Sequence, residues 1–209
     1  MVQLSTLLLS SRAFKTPAIT QAFINMLPDH HQYSEISIIV NSVKEGRLHP
    51  KMIALQTQLH ALGFRNVTLF DVFQDNLDIL KQSDALILNG GYEFYLLHAL
   101  KSSNADQVIN DLAQNNRPIY GISAGAIVLG PDLQLYQYLY PEDNLLQDKD
   151  LNGLKLTTTR IYPHFDQHAI TNPGLIDQIN HWENTHHQSV IRLNNDEGLL
   201  IQDENVKRL

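Results

Sequence analysis

A serine between two glycines stands where a predicted strand is followed by a helix. The strand is expected over Pro118 to Ile122, and Gly121-Ile-Ser-Ala-Gly125 leads into the apolar stretch Ala126 to Leu129. A serine on such a sharp turn projects its hydroxyl out of the sheet, and the glycines relieve crowding where backbones pass closely. The N–H of Ala124 would then lie at a helix N-terminus, where it can stabilise an oxyanion. The pattern predicts Ser123 as a nucleophile, although small residues also occur at junctions that do no chemistry.

A second glycine pair, Gly90-Gly91, follows the preceding predicted strand, Ala85 to Leu88, and a helix is expected to begin after it. The carboxyl ends of neighbouring parallel strands share one edge of a sheet, so this turn should face the same crevice as Ser123. One backbone N–H from each turn would form the two-donor oxyanion hole that acyl transfer requires. The other interpretation is a tight turn without a ligand.

A general base is needed, and His164 is the candidate among ten histidines because it follows an apolar strand directly after Pro163. A turn histidine at the surface is the alternative interpretation. His164 with Asp166 and His168 could be imagined as metal ligands, but no established ligand spacing supports this, and no metal is predicted. The other nine histidines look like surface or helix residues: His30, His31, His49, His60, His98, His168, His181, His186 and His187.

A carboxylate between the serine and the histidine along the chain would complete a constellation of nucleophile, acid and base. Glu142 and Asp143 lie in a polar stretch between Ser123 and His164, which gives the order serine, acid, histidine along the chain. In such a constellation the histidine takes the serine proton and the carboxylate fixes the tautomer and orientation of the ring. Either acid could instead be a solvated loop charge.

The elements that must position these residues alternate between short apolar runs and stretches of helical period, which predicts a mostly parallel sheet with helices on both faces. Gly63 is expected to cap the second helix. The predicted strands are Ser5 to Ser10, Glu35 to Val40, Asn66 to Phe70, Ala85 to Leu88 and Pro118 to Ile122. The predicted helices between them are Pro17 to Met26, Pro50 to Leu62 and Ala105 to Gln114.

The regular alternation of strand-like and helical segments stops after Gly130. A loop is expected there, before a strand-like pattern returns at Leu154 to Ile161. A helix is predicted from Pro173 to about Thr185, with Asn172 as its cap and Pro173 at its first position. The chain should end in two short strands, Val190 to Leu193 and Leu199 to Asp203, around a turn at residues 194–198.

The composition narrows the class of protein. A chain of 209 residues fits one domain, 1–209, and its formal charge of −7 argues against a general binder of nucleic acid or anionic membranes. The absence of cysteine excludes disulfides, thiolate nucleophiles and Cys-ligated metals. The N-terminal apolar run is interpreted as a strand because it lacks the basic start and the length of a secretion signal, and no run is long enough for a membrane span. A cytoplasmic protein is expected.

Three ordered motifs carry a family resemblance: Asn-Gly-Gly-Tyr-Glu-Phe-Tyr-Leu-Leu from Asn89, Gly-Ile-Ser-Ala-Gly-Ala from Gly121, and Tyr-Pro-His-Phe from Tyr162. Together they resemble the dipeptidase E and cyanophycinase family of serine peptidases, over most of the chain. The resemblance implies an α/β fold like that of the class I glutamine amidotransferases, which is flavodoxin-like, with serine in place of their cysteine.

By position, the resemblance implies that Ser123 is the nucleophile, His164 the base, and the backbone of Gly91 and Ala124 the oxyanion hole. Counting back from Gly153-Leu-Lys-Leu156, which resembles the family strand before the histidine, puts Glu142 at the acid position, and Asp143 beside it could serve instead. His164 stands 41 positions after Ser123, a few more than is expected for dipeptidase E itself, which leaves specificity open.

The function implied is hydrolysis of small peptides, with an N-terminal aspartyl residue, through an acyl-enzyme. Arg160, beside the predicted His164 strand, is one candidate cation for an aspartyl side chain, and a solvent-exposed strand end is its alternative interpretation. Three other functions stay open: a β-aspartyl-arginine hydrolase like cyanophycinase, an esterase of the α/β-hydrolase fold, and an inactive binding protein. The esterase would usually place its histidine nearer the C-terminus.

The proposed chemistry needs only side chains and backbone amides, so no cofactor is expected. Neither a G-x-G-x-x-G sequence nor a P-loop is present, which argues against nucleotide use. The expected partner is a small peptide substrate. The tyrosine-rich stretch from Tyr136 to Tyr140 could pack in a homodimer or form a lid, and the sequence does not choose between them.

Overall fold

The central feature of the fold is a seven-stranded sheet. The computed structural model of the chain describes residues 6–203 and 205–209. Its strands are β1 (Leu7–Ser10), β2 (Glu35–Ile39), β3 (Asn66–Phe70), β4 (Ala85–Leu88), β5 (Ile119–Ile122), β6 (Ile161–Tyr162), β7 (Ile191–Arg192), β8 (Gly198–Gln202) and β9 (Asn205–Arg208). The sheet order is β3-β2-β4-β5-β1-β8-β9, in which the first five strands are parallel, β8 pairs antiparallel with β1, and β9 pairs antiparallel with β8. Strands β6 and β7 form a separate parallel pair.

Helices cover both faces of this sheet. They are α1 (Pro17–Asn25), α2 (Pro50–Ala61), α3 (Leu77–Lys81), α4 (Glu93–Ser102), α5 (Ala105–Gln114), α6 (Ala124–Val128), α7 (Gln134–Leu139), α8 (Phe165–Thr171) and α9 (Leu175–His186). Alternate strand residues enter opposite cores: Leu7 and Leu9 pack with α4, α5 and α9, whereas Leu8 packs with α1 and α2. Among the described residues, no helix is both long and apolar enough to cross a membrane.

The predicted α/β architecture with a mostly parallel sheet is confirmed. Strands β3 and β4 and helix α5 have the predicted bounds, the other early elements that were predicted with bounds differ by one or two residues, and the short helix α3 was not predicted. Ser5, the predicted first residue of β1, lies outside the described residues. Gly63 follows α2 with a φ of +96°, the left-handed conformation in which glycine ends a helix at low cost.

The prediction was less accurate after Gly130. Residues 153–156 are not a strand: the N–H groups of Leu154 and Leu156 donate to the carbonyls of Val128 (2.8 Å) and Leu129 (3.0 Å). These carbonyls end α6 and have no partner within it, so the segment satisfies them instead of pairing in a sheet.

The segment after His164 was also predicted incorrectly. Helix α9 begins at Leu175 and not at Pro173, and Asn172 ends α8 while its side chain accepts from the N–H of Gly174 (3.2 Å). Helices α7 and α8 and strand β9 were not predicted. Each is short or faces solvent, so its hydrophobic period is weak.

Candidate active site

Ser123 occupies the predicted turn between β5 and α6. Its backbone has φ 51° and ψ −114°, a conformation that costs a non-glycine residue on the order of 1–3 kcal/mol. The N–H of Ser123 donates to Ser10 on the neighbouring strand at 2.8 Å, and its carbonyl accepts from Ile127 at 3.0 Å. The turn is therefore anchored on both sides by main-chain hydrogen bonds, and the predicted strand–turn–helix arrangement is confirmed.

The glycines of this turn are required by close packing. A Cβ on Gly125 would lie 1.9 Å from the carbonyl oxygen of Leu88 on β4, and one on Gly121 would lie 2.6 Å from the Cα of Ala126. Real Cβ contacts are longer than 3.0 Å, so a side chain at either position would displace the backbone. Helix α6 can therefore lie directly against β4 and β5.

His164 lies beside the serine. It is the last residue before α8, with a left-handed φ of 58°, and its Nε2 is 3.0 Å from the Oγ of Ser123. Its backbone N–H donates to the Oγ of Ser11 at 3.1 Å, and that hydroxyl donates in turn to the carbonyl of Leu193, also at 3.1 Å. Ser11, just beyond β1, thus links the central sheet to the segments around β6 and β7.

The other ring nitrogen of His164 meets an amide side chain. Nδ1 lies 2.7 Å from the Oδ1 of Asn195, and the same oxygen accepts from the Nε of Arg12 at 2.8 Å. Because a guanidinium can only donate, the atom that faces it must be the amide oxygen, which in turn requires a proton on Nδ1. The Nε2 of a neutral His164 is then free to accept from the hydroxyl of Ser123.

Asn195 reaches His164 because β6 and β7 run parallel. His164 lies two residues after β6, Asn195 lies three residues after β7, and the backbone N–H of Asn195 donates to the Oδ1 of Asp166 at 3.0 Å. The sequence analysis recognised the turn that contains Asn195 but did not predict the pairing. Applying the shared-edge argument to Tyr162 and Arg192, which pair in register, would have found it.

The surroundings of His164 favour the neutral imidazole. Burial lowers the pKa of His164 below its ordinary value of 6.5. The hydrogen bond to Asn195 acts in the opposite sense, whereas the nearby Arg12 guanidinium lowers the pKa further. At neutral pH the ring is therefore mostly unprotonated at Nε2, as a general base must be.

Two backbone N–H groups are available beside the serine. The N–H of Ala124 is the first of α6 and has no partner within the helix. The N–H of Gly90 donates to the side chain of Asn89 at 2.7 Å, whereas that of Gly91 has no acceptor among the described residues. A Cβ built on Gly90 would be 3.1 Å from that of Ser123, so the two turns are in contact.

Two cavities adjoin Ser123 and His164, and their charges differ. The first, about 570 Å³, contains Arg12 and Lys51 and is called the Arg12 cavity. The second, about 440 Å³, contains Glu93 and Asp143 and is called the Glu93 cavity. Gly91, Ser123 and His164 line both. An extended molecule could therefore lie across the serine with its ends in the two cavities.

The predicted acids do not lie where the sequence analysis expected them. Glu142 and Asp143 form a short 3₁₀ turn after α7, both are exposed, and Asp143 lines the Glu93 cavity. The position beside Nδ1 of His164 is occupied by Asn195. The count back along the chain failed because it assumed a strand at 153–156.

Arg160 is also not positioned for the predicted contact with substrate. Its side chain is only 4% exposed, forms two hydrogen bonds to the carboxylate of Asp132 (2.7 and 2.8 Å), and lies over the ring of Trp182. It lines neither cavity beside Ser123. Arg160 instead joins the start of β6 to the segment before α7 and to α9.

His168 was set aside in the sequence analysis as a surface residue, yet it lines both cavities. Its ring is 5.7 Å from that of His164, and its Nδ1 hydrogen bonds with the hydroxyl of Tyr162 at 2.9 Å. The four-residue spacing from His164 was the available signal, because α8 brings the two rings to one face. Within the described part of the chain, no group of three potential metal ligands is gathered.

An oxygen nucleophile on a strained turn, a neutral histidine 3.0 Å away and two adjacent free N–H groups define an α/β protein of the serine hydrolase class. Comparison with known proteins narrows this class. Peptidase family S51 matches residues 12–209, and the chain belongs to this family of serine-type peptidases.

Relatives from several bacteria agree with this assignment. The chain is 28% identical over 155 residues to an uncharacterized peptidase of Listeria innocua, which covers 71% of each chain. It is 22% identical over 142 residues to an uncharacterized peptidase of Pasteurella multocida, 68% of this chain and 64% of that one. It is 29% identical over 115 residues to Peptidase E of Haemophilus influenzae. That match covers 53% of this chain and 46% of that one.

Solved structures share the fold. A structure from Listeria monocytogenes described as a Peptidase E protein superposes with a TM-score of 0.77 at 20% identity, covering 99% of this chain and 98% of the other. A peptidase from an acI-B1 actinobacterium gives a TM-score of 0.69 at 16% identity, covering 100% and 95%. The fold predicted from the resemblance is thus confirmed.

Proposed function

We propose that this protein hydrolyses small peptides, as a dipeptidase, through an acyl-enzyme formed on Ser123. The observation that carries the proposal is the 3.0 Å contact between Ser123 Oγ and His164 Nε2 at a strained turn between two cavities. The Peptidase E relatives support the reaction class.

In the first half of the reaction, His164 Nε2 takes the hydroxyl proton as Ser123 Oγ attacks the carbonyl carbon of the peptide bond. The carbonyl oxygen becomes an oxyanion, which accepts from the backbone N–H groups of Gly91 and Ala124. His164 then passes the proton to the leaving amine, the C–N bond breaks, and the acyl group remains on Ser123 as an ester.

In the second half, water attacks the ester carbon while His164 accepts its proton, and the bond from that carbon to Ser123 Oγ then breaks as His164 returns the proton to Oγ, which releases the acid. Asn195 accepts from His164 Nδ1 throughout and keeps Nε2 directed at the serine. Because Asn195 is neutral, it stabilises the imidazolium less than a carboxylate would. An amide also avoids the cost of burying a negative charge beside His164. Arg12 fixes the orientation of the Asn195 amide.

The proposed substrates carry an N-terminal aspartyl residue, and Arg12 and Lys51 support this preference. Both line the Arg12 cavity, and the described residues place no carboxylate among its lining. Arg12 uses its Nε on Asn195 and one terminal nitrogen on Gln167 (3.1 Å), which leaves further N–H donors for a carboxylate. These residues replace Arg160 in the role that the sequence analysis gave it.

The test is a panel of purified dipeptides that includes Asp-X, non-aspartyl X-X and β-aspartyl-arginine, each incubated with wild type and with Ser123→Ala. We expect Asp-X to be cleaved, and the variant to lose about a millionfold in kcat because the nucleophilic oxygen is gone. Far-ultraviolet circular dichroism and the melting temperature serve as controls for folding. Turnover that survives in folded Ser123→Ala would refute the proposal.

A further inference from the structure

The Glu93 cavity has a composition that the chemistry at Ser123 does not explain. Besides Glu93 and Asp143 it is walled by three tyrosines, Tyr136, Tyr140 and Tyr162. The rings of Tyr136 and Tyr162 stack 6.0 Å apart, and the hydroxyls of Tyr140 and Tyr162 are hydrogen bonded to each other. The cavity is thus acidic and aromatic, and it opens directly onto the nucleophile.

Among the described residues, no basic side chain forms an ion pair with Glu93 in this cavity. Glu93 is the first residue of α4, two positions after Gly91, and its side chain is only partly buried. Burial nevertheless raises the pKa of Glu93 to about 7, and Asp143 adds to the rise. Burial also raises the pKa of the Tyr136 and Tyr140 hydroxyls, with Glu93 contributing in the same direction.

Two other partly buried acids of this chain form ion pairs with arginines. Asp132 pairs with Arg160 at 2.7 Å, and Glu183 pairs with Arg192 at 2.8 Å. Within residues 6–203 and 205–209, neither Glu93 nor Asp143 forms an ion pair. An unpaired carboxyl group in a partly enclosed cavity is costly unless a cation joins it.

We propose that the Glu93 cavity is a cation subsite, in which the carboxylates of Glu93 and Asp143 and the faces of the tyrosines receive a positively charged group of the substrate. This proposal rests on the proposed function and deepens it. Ammonium and guanidinium groups share the required chemistry, since both donate to carboxylates and are attracted to aromatic faces. The group is either the free α-ammonium of the peptide or a basic side chain.

The two cavities then act as a pair. The Arg12 cavity receives the aspartyl carboxylate, the Glu93 cavity receives the positively charged group, and the scissile carbonyl lies at Ser123, which lines both cavities. Opposite charges at fixed positions set the orientation of the substrate at the serine, because exchanging the two groups would bring like charges together in both cavities.

The experiment measures binding in the Ser123→Ala background, by titration calorimetry, with two matched pairs of ligands. Asp-Leu is compared with succinyl-leucine, which lacks only the amino group, and β-aspartyl-arginine is compared with β-aspartyl-citrulline, which lacks only the side-chain charge. We expect one charged ligand to bind about tenfold to a hundredfold more tightly than its neutral partner. A difference in affinity within the first pair assigns the subsite to the α-ammonium, and a difference within the second pair assigns it to a basic side chain.

The preference should depend on the acids of the cavity. Glu93→Gln should remove most of it and Asp143→Asn, at the exposed rim, should reduce it, so the test survives if one of them fails to fold. Asp177→Asn is the matched control, because it removes an exposed carboxylate from the first turn of α9, which lines neither cavity. An undiminished preference in folded Glu93→Gln, or equal binding within both ligand pairs, would overturn the subsite.

This outcome is separable from the fate of the proposed function. If wild type cleaves no peptide while the charge preference depends on Glu93, the proposed hydrolysis fails and the cation subsite stands. If wild type cleaves Asp-X through Ser123 and no ligand pair shows a preference, the hydrolysis stands and the subsite fails.

Discussion

The two partners of the 3.0 Å contact are held by different means. Ser123 is fixed by main chain: strands on both sides of β5, the first turn of α6 and glycines that admit close packing. His164 belongs to a smaller region around β6 and β7, where side chains provide much of the support. Ser11 receives its backbone N–H, Asn195 meets its ring, and the buried Arg160 ties its strand to Asp132.

This difference indicates which kind of substitution would damage the serine side of the site and which would damage the histidine side. Main-chain support fails only when the backbone is forced to move, and the damage then extends to the core of the sheet. Side-chain support can be removed one hydrogen bond at a time, with graded effects on the ring it orients. Substitutions near the serine should therefore change folding, whereas those near the histidine should change catalysis in a folded protein.

The largest effect is expected from Gly125→Ala, on the serine side. The new Cβ would lie 1.9 Å from the carbonyl oxygen of Leu88, so α6 must shift away from β4, and we expect a loss of about 3 kcal/mol in the free energy of unfolding. Urea unfolding gives this quantity. Gly174→Ala is the matched control, because its Cβ would have only one neighbour, 3.6 Å away. Equal stability of the two variants would contradict the main-chain account.

A smaller effect is expected from Asn195→Ala, on the histidine side. Losing the acceptor at His164 Nδ1 frees the ring to rotate or change tautomer, and we expect kcat to fall about tenfold to a hundredfold with stability nearly unchanged. Steady-state kinetics on the best dipeptide measure it. Asn195→Asp, which keeps an oxygen acceptor, should retain more activity than Asn195→Ala. A wild-type kcat in Asn195→Ala would show that the contact does not orient the base.

The smallest effect concerns pH. The unprotonated ring of His164 is the active form and burial lowers its pKa below 6.5, so kcat/KM should rise with pH and reach half its maximum below pH 6.5. Glu93, with a pKa of about 7, titrates in the same range, so the profile is recorded in both wild type and Glu93→Gln. A midpoint above 6.5 in Glu93→Gln would contradict the buried, neutral base.

The accuracy of the sequence analysis differs along the chain for physical reasons. Within residues 6–130, most strands are buried on both faces and have helices packed on them, so their periodicity is strong and the bounds of the predicted elements are close to the observed ones. Between Gly130 and Asp203, most elements are short, and several are defined by contacts rather than by pattern. The segment 153–156, for example, has strand-like residues but caps the end of α6.

The candidate site shows the same contrast between residues that local pattern predicts and residues that only tertiary contacts bring in. The sequence placed Ser123 and the two glycine turns at the edge of the sheet, because each follows a recognisable strand, and it placed His164 after a strand-like segment. It could not find Asn195, since the two-residue strands β6 and β7 pair only in the folded chain. Arg160 and Arg12 show the limit most plainly. Both are cations near His164 by sequence or by space, and only the fold buries one against Asp132 and leaves the other in the Arg12 cavity.

By itself, the sequence determined the α/β class, the strand–serine–helix turn and the histidine that follows a strand, because these depend on local period and on residue types that suit one conformation. The tertiary structure alone decided the group that orients His164, the role of each arginine, and the opposite charges of the two cavities beside Ser123. Those features join side chains that are far apart along the chain, and no local pattern records which distant residues meet when the sheet forms.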